Sequence, residues 1–468
     1  MRIALLAVAL LLAGCISPGS LGTDAPPGAF LPKPFLNAIQ VGHNHTDFAQ
    51  HVLSNNVELV GHDYLGPDGP PGGPAEIDVV GRYAYVALMG VGFGIVDLAN
   101  VTHPTLVSVT EVAALANLPV VGNVDPRVGN PVADRYTADL KVDRTGDWVF
   151  IGMELSETPG VLIYDARDKT APKLAGFWPE PGLLLGCHMV EYAVINEQEY
   201  LFCAPLDNAI YVGLLLPPTA TGHREVVQVA RFVPSTPKFV QQQVGNVQAN
   251  PVGAAVAHVS GHQDMTYQLD PITKKPTLFV SFWNLGMRIV DVSVPALPLE
   301  IGSWAGEDSA KFRGALHTTV AFLSGDEKRI IVTIPEGSDP PALFVIDATD
   351  LDNPVLLSEW QALDDFQGEA GIFSMHNFQV MDGKVYIAMG HGGLWCLDIS
   401  TPELRAAPDP VASYLPHMPA KDGTPYQGYY WDSVLYRGYW LTAEANGGFY
   451  VLHRDADPAG SDQYTSFA

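Results

Sequence analysis

Apolar residues in this chain come in short runs separated by polar turns, and several runs repeat almost unchanged. Phe93-Gly94-Ile95-Val96-Asp97, Leu162-Ile163-Tyr164-Asp165, Met287-Arg288-Ile289-Val290-Asp291, Leu343-Phe344-Val345-Ile346-Asp347 and Leu394-Trp395-Cys396-Leu397-Asp398 each end in Asp. A proline follows each, at Pro104, Pro172, Pro295, Pro354 and Pro402. The runs are rich in β-branched and aromatic residues and lack the 3.6-residue period of a helix, so they predict strands. A degenerate copy stands at Ala209-Ile210-Tyr211-Val212. A repeat of this length that stays extended predicts a β-propeller, in which each unit buries its faces against its neighbours.

Each unit reads as four strands. In one unit an inner strand over residues 375–381 leads through the tight turn Asp382-Gly383 to a second strand over 384–389. A glycine-rich link leads to the third strand, 394–399, and a proline-marked turn to a short outer strand. Seven second strands align, beginning at Tyr83, Trp148, Tyr200, Leu278, Ile330, Val385 and Tyr439. The expected fold is therefore all-β, a seven-bladed propeller of four-stranded antiparallel blades over residues 56–455. The last unit runs out of chain before its outer strand. Asn56-Val57-Glu58-Leu59-Val60-Gly61 resembles the outer strand Leu297-Pro298-Leu299-Glu300-Ile301-Gly302, so the N-terminal segment is expected to complete blade 7 and close the ring. The recurrent Asp is expected to accept backbone N–H groups at the turn that follows it.

The ends of the chain read differently. Arg2 precedes an apolar stretch over residues 3–12, and Leu12-Ala13-Gly14-Cys15 has the form of a lipoprotein processing site. The stretch is about half the ~20 residues that a spanning helix requires. Residues 1–14 are expected to be a lipoprotein signal peptide, with Cys15 lipidated and the protein held at the outer face of the cell membrane. Residues 15–55 read as a flexible tether and 456–468 as a tail. Cys187, Cys203 and Cys396 are expected to be buried small hydrophobes, since three thiols without CxxC spacing make no disulfide framework.

The formal charge of −26 argues against nucleic acid, whose binding needs a basic footprint, and against close contact with anionic lipid headgroups. The membrane contact expected is the lipid on Cys15 alone, and the chain is expected to be a monomer. No GxSxG elbow, Walker loop or HExxH helix is present.

The Ile-Val-Asp strand followed by Pro resembles the LVIVD-repeat family of seven-bladed propellers found in exported prokaryotic proteins. The resemblance extends over nearly all of residues 56–453 and implies the propeller fold without implying an activity. More distantly the chain is similar to the selenium-binding or methanethiol oxidase propellers, which would imply a metal-linked oxidase, but their Cys-rich signatures are missing here.

Candidate chemistry follows from the repeat. The starts of the inner strands carry Glu76, Asp139, His188, His262 with Asp264, His317, His376 and Asp432. The ends of the second strands, on the same face, carry Glu154, Asn284, Glu336, His391 and Glu444. Inner strands line the propeller axis, so these residues should approach one another at one channel mouth. Imidazoles with nearby carboxylates suit a borderline divalent metal, and His188, His262, His317 and His376 are the candidate ligands for zinc or copper. The competing reading is a set of histidines that hydrogen-bond between blades. Connections over residues 113–136, 234–258 and 402–428 should rise over this mouth. Two functions remain open: a binding or scaffolding module for a protein or small molecule, or a metal-dependent propeller enzyme, such as an oxidoreductase.

Overall fold

The computed structural model describes residues 53–67, 69–112, 136–154, 160–179, 186–205, 209–235, 263–282, 286–304, 315–336, 341–361, 375–390, 392–415, 429–444 and 447–454. They form the expected propeller of seven antiparallel sheets. From the axis outward, blade 1 holds Gly73–Val80, Tyr83–Met89, Gly92–Asp97 and Thr105–Glu111. Blade 2 holds Tyr136–Val142, Trp148–Glu154, Gly160–Asp165 and Lys173–Pro179. Blade 3 holds Cys187–Ile195, Gln198–Pro205, Ile210–Leu215 and Val226–Phe232, and blade 4 Gln263–Leu269, Pro276–Phe282, Gly286–Asp291 and Leu299–Trp304. Blade 5 holds Ala315–Leu323, Arg329–Glu336, Ala342–Asp347 and Val355–Gln361. Blade 6 holds Phe378–Met381, Lys384–Ala388, Leu394–Asp398 and Asp409–Leu415, and blade 7 Tyr430–Tyr436, Tyr439–Glu444 and Gly448–His453.

Second and third strands are buried on both faces, which is why they read as unbroken apolar runs rather than alternating ones. Seven apolar clusters form, each spanning two neighbouring blades. Val96 and Ile77 of blade 1, for example, share a cluster with Leu441 and Val451 of blade 7. The core is thus a ring of interblade layers with no free end.

Glu58–Asp63 pairs antiparallel with Gly448–His453 and supplies the missing outer strand of blade 7. The closure extends further than expected. Leu53–Asn55, read above as the end of a tether, is a strand on the outer edge of blade 6, opposite Ser413 to Leu415. Asn56 links the two strands with φ 58, and its Nδ2 donates to Val411 O at 2.8 Å. Asn tolerates this left-handed conformation because its short side chain can bond locally. The hairpin turn Asp382-Gly383 likewise has both φ values positive, at 50 and 70, as a type I′ turn requires.

The recurrent Asp performs the expected turn chemistry. Oδ1 of Asp97, Asp165, Asp291, Asp347 and Asp398 accepts the N–H two residues on, from Ala99, Arg167, Ser293, Thr349 and Ser400, at 2.8–3.1 Å. Three of them also hold a cation at the start of the second strand: Arg82, Lys275 and Lys328.

Other expectations change. Cys187 and Cys203 are joined as a disulfide between the inner and second strands of blade 3, with Cα atoms 5.7 Å apart, within bridging range; Cys396 is free and buried. The segment 402–428 is not a single connection over the mouth. It begins with the helix Pro402–Ala406, N-capped by Thr401 with Pro402 in its first turn, and continues into the outer strand Asp409–Leu415. The segments 113–135, 236–258 and 416–428 lie outside the described residues, as do the residues expected to form a signal peptide, Cys15, and the expected tail. Among the described residues, no helix is long and apolar enough to cross a membrane.

Candidate functional site

Polar side chains on the inner strands face the axis, and most of them are committed to joining blades. Asp78 Oδ2 of blade 1 accepts the Val142 N–H of blade 2 at 2.8 Å. Asp139 Oδ2 accepts the Val190 N–H of blade 3 at 2.6 Å, and the Tyr267 backbone of blade 4 bonds Glu191. Gln268 takes both backbone groups of Ala321, and Thr318 Oγ1 donates to His376 O at 3.0 Å. Gln379 accepts from Leu435 N, and Asp432 Oδ2 accepts the Ile77 N–H at 2.8 Å, returning to blade 1. Every blade junction therefore carries such a clasp. It satisfies inner-strand backbone groups that would otherwise lack partners in a narrow channel.

Below and between these clasps is a cavity of about 370 Å³, lined by residues of all seven inner strands. Lys141 reaches into it, 2.8 Å from Glu76 Oε1 and 3.5 Å from Asp139 Oδ1. The second oxygen of Glu76 accepts from Asn377 Nδ2 of blade 6. Burial alone would pull the Lys141 ammonium down, but Asp139 and Glu76 hold it well above its usual range. Burial, reinforced by Asp432, pushes the Glu76 carboxyl well up; burial pushes Asp432 up to about 7 and Glu191 up to about 8.

A different cluster forms at the mouth. His317 of blade 5 and His376 of blade 6 lie with ring centroids 4.2 Å apart. Glu336, at the end of the second strand of blade 5, brings Oε1 to 3.8 Å from His376 Nε2. One ligand atom from each of His317, Glu336 and His376 lies within 4.8 Å of the others. Asp264 Oδ2 stands 3.5 Å from His317 Nδ1, and Thr318 Oγ1 is 3.1 Å from the same nitrogen. Trp431 of blade 7 packs edge-on against His376 at 4.3 Å and is itself flanked by Tyr429 at 4.8 Å. His188 is close enough that its charge disfavours protonation of both other imidazoles.

Local backbone explains the placement. In blade 5 the ladder slips between His317 and Thr319, so His317 pairs with Ile334 and Thr318 is the bulged residue. In blade 3 the bulged residue is His188 itself. In blade 6 regular pairing starts only at Phe378, and Asn377 N donates instead to Trp431 O of blade 7. This irregular start, inside the expected strand 375–381, holds His376 over the mouth. His188 is therefore one position further along the repeat than His317, so the histidines do not occupy one register position as expected.

Burial drives the His317 imidazole down to about 4 and, with the charges of His317 and His188, holds His376 well below its ordinary range. Both rings are neutral at physiological pH, the form that ligates metal. His376 Nδ1 is buried without a hydrogen-bond partner among the described residues, and Nε2 lies beyond hydrogen-bond reach of Glu336. An uncompensated buried ring nitrogen is costly and calls for a partner.

Of the residues picked from the sequence, the structure gathers His188, Asp264, His317, Glu336 and His376 at the mouth. Glu76, Asp139 and Asp432 face the axis but are tied to Lys141, Asn377 and backbone N–H groups. Glu444 is fully buried under its own turn, accepting from Tyr450 Oη at 2.9 Å and from Gly447 N. His262, Asn284 and His391 lie outside the described residues, as does the side chain of Glu154. Sequence reasoning missed Asp78, Glu191 and Lys141. Their signal was available: each is a charged residue on the axis-facing set of an otherwise apolar inner strand.

The LVIVD repeat model matches residues 71–111, 278–305 and 377–404, which fall in blades 1, 4 and 6. No curated protein matches the sequence. Among solved structures, the β-propeller domain of Cps50 (Swd1) from Myceliophteria thermophila is similar, with 12% identity, a TM-score of 0.47, and coverage of 81% of this chain and 96% of that one. The chain is a seven-bladed β-propeller that carries LVIVD repeats in blades 1, 4 and 6.

Proposed function

We propose that this propeller is an exported binding module, tethered by lipid on Cys15, that receives its ligand at the channel mouth. The observation that carries the reading is the convergence of His188, Asp264, His317, Glu336, His376 and Trp431 from five different blades onto one small surface. Ordinary interblade packing does not need that set, because the clasps already join the blades. Convergent polar and aromatic groups at the open end of a rigid ring are suited to recognition. Export is supported by the Leu12-Ala13-Gly14-Cys15 sequence and by the Cys187–Cys203 disulfide, since such bonds persist in oxidising compartments.

Two measurements test the reading. Cys15→Ser should move the protein from the membrane to the soluble exported fraction; retention at the membrane would place the anchor elsewhere. A photo-crosslinking residue placed at His188 should capture ligand in intact cells, seen as a defined mass adduct. The same residue at Leu297, exposed at the far end of blade 4, should capture none. Adducts at 297 and none at 188 would contradict binding at the mouth.

A further inference from the structure

Two imidazoles and a carboxylate facing one another at a channel mouth leave room for something between them. The approach of His376 Nε2 to Glu336 Oε1, 3.8 Å, is too long for a hydrogen bond. It is close to the separation of two ligand atoms that share one cation, since bonds of about 2.0–2.2 Å to zinc at a tetrahedral angle place ligand atoms about 3.4 Å apart. The third ligand atom, from His317, lies within 4.8 Å of both, so a small side-chain movement closes the set. We infer that His317, Glu336 and His376 form a mononuclear site for a borderline divalent cation, zinc(II) or copper(II), with at least one coordination position open toward the mouth.

Three observations support this ligand set over the four histidines that spacing alone suggests. His317 Nδ1 faces Asp264 Oδ2 and Thr318 Oγ1, which makes Nε2 the nitrogen that would ligate. A carboxylate behind a ligating imidazole fixes its tautomer and orientation, and Asp264 is the positioning residue here. The buried Nδ1 of His376 has no hydrogen-bond partner among the described residues, while its Nε2 faces Glu336 Oε1 at 3.8 Å. Trp431 and Tyr429 wall one side, which restricts water and rotation of the His376 ring. Three protein ligands, rather than four, are the arrangement of sites that bind a further molecule at the metal. The ligand that the mouth receives would then be one with a donor atom for that position, such as a carboxylate, thiol or imidazole. Oxygen-preferring magnesium is a poor match for two imidazoles.

The inference deepens the proposed function and rests on the mouth being the binding face. The test is calorimetric titration of the metal-stripped full chain with zinc, copper and magnesium chloride. One equivalent of zinc or copper should bind, and magnesium should not. His317→Ala, His376→Ala and Glu336→Gln should each weaken binding more than about 100-fold, while Asp264→Asn should weaken it by the ~10–100-fold typical of an outer partner. Thermal melts without metal show whether each variant is folded. Should a variant fail to fold, the parent decides alone: cobalt(II) loading should give the intense visible bands of a four- or five-coordinate site with nitrogen ligands. Binding of less than about a tenth of an equivalent, binding indifferent to all three ligand variants, or a six-coordinate cobalt spectrum would overturn the inference. Loss of metal binding with adduct formation at 188 intact would overturn the metal site and leave mouth binding standing.

Discussion

At the residue scale, charged groups in the ring are either tied into the fold or gathered at the mouth, and the two behave differently. Arg329 and Asp270 illustrate the first. Arg329 Nε and Nη2 reach Asp270 Oδ2 and Oδ1 at 2.6 and 2.9 Å, between blades 5 and 4, with both side chains almost wholly buried. Burial would raise Asp270, but the Arg329 hydrogen bonds and the Thr273 N–H outweigh it and hold the carboxyl below its usual range. Asp270→Ala leaves a buried guanidinium without its partner and is expected to cost about 3–5 kcal/mol in denaturant unfolding. The same pair sets an acid limit. A depressed carboxyl contributes stability above its unfolded pKa of about 3.9, and that contribution is lost as pH falls through the lower folded value.

The Asp residues at the third-strand ends and the two imidazoles over the mouth show what could be read from sequence at this scale. The repeat placed His317, Glu336 and His376 on one face because inner and second strands alternate direction in every blade. It could not say which histidines meet. A single bulged residue decides that, and the bulged residue is His188 in blade 3 but Thr318 in blade 5. The Cys187–Cys203 bond was hidden for a related reason: two cysteines sixteen residues apart become neighbours only once the hairpin between them has its register.

At the scale of elements, strand positions were legible because period-two and unbroken apolar runs bounded by turn residues report local geometry directly. The five Ile-Val-Asp-like strands and the N-terminal closing strand lie where the pattern put them. The helix Pro402–Ala406 was not visible, since five residues are too few to show a period. Closure by two N-terminal strands, one on blade 6 and one on blade 7, makes a definite demand. Removing residues 16–51 is expected to leave the melting transition unchanged. Extending the deletion through Leu65 uncovers the edge of blade 7 and the layer of Leu59 and Val60. Aggregation or a clearly broader, lower transition is expected, and equal melts for the two truncations would mean that the ring closes without these strands.

At the scale of the whole molecule, the axis concentrates acid that folding keeps protonated. Glu191 and Asp432, raised to about 8 and about 7 mainly by burial, retain protons in the folded state that the unfolded chain releases near pH 4. Through these two groups stability falls as pH rises, whereas the depressed imidazoles of His317 and His376 act in the opposite sense below the ordinary histidine value of about 6.5. The melting temperature is therefore expected to be higher at pH 7 than at pH 8.5, a window above the histidine range. Glu191→Gln should flatten this trend, and a melting temperature that climbs from pH 7 to 8.5 would contradict it. Lys141 stays charged across this range and limits the effect without reversing it.

The central claim is that the cluster at the mouth is a built site rather than a by-product of packing. It is tested most directly by anomalous diffraction at the zinc edge from crystals of the full chain grown with one equivalent of zinc. The account predicts a single strong peak per chain, within bonding distance of His317 Nε2, Glu336 and His376. A map with no peak between those three side chains, or with its strongest peak elsewhere on the propeller, would contradict it.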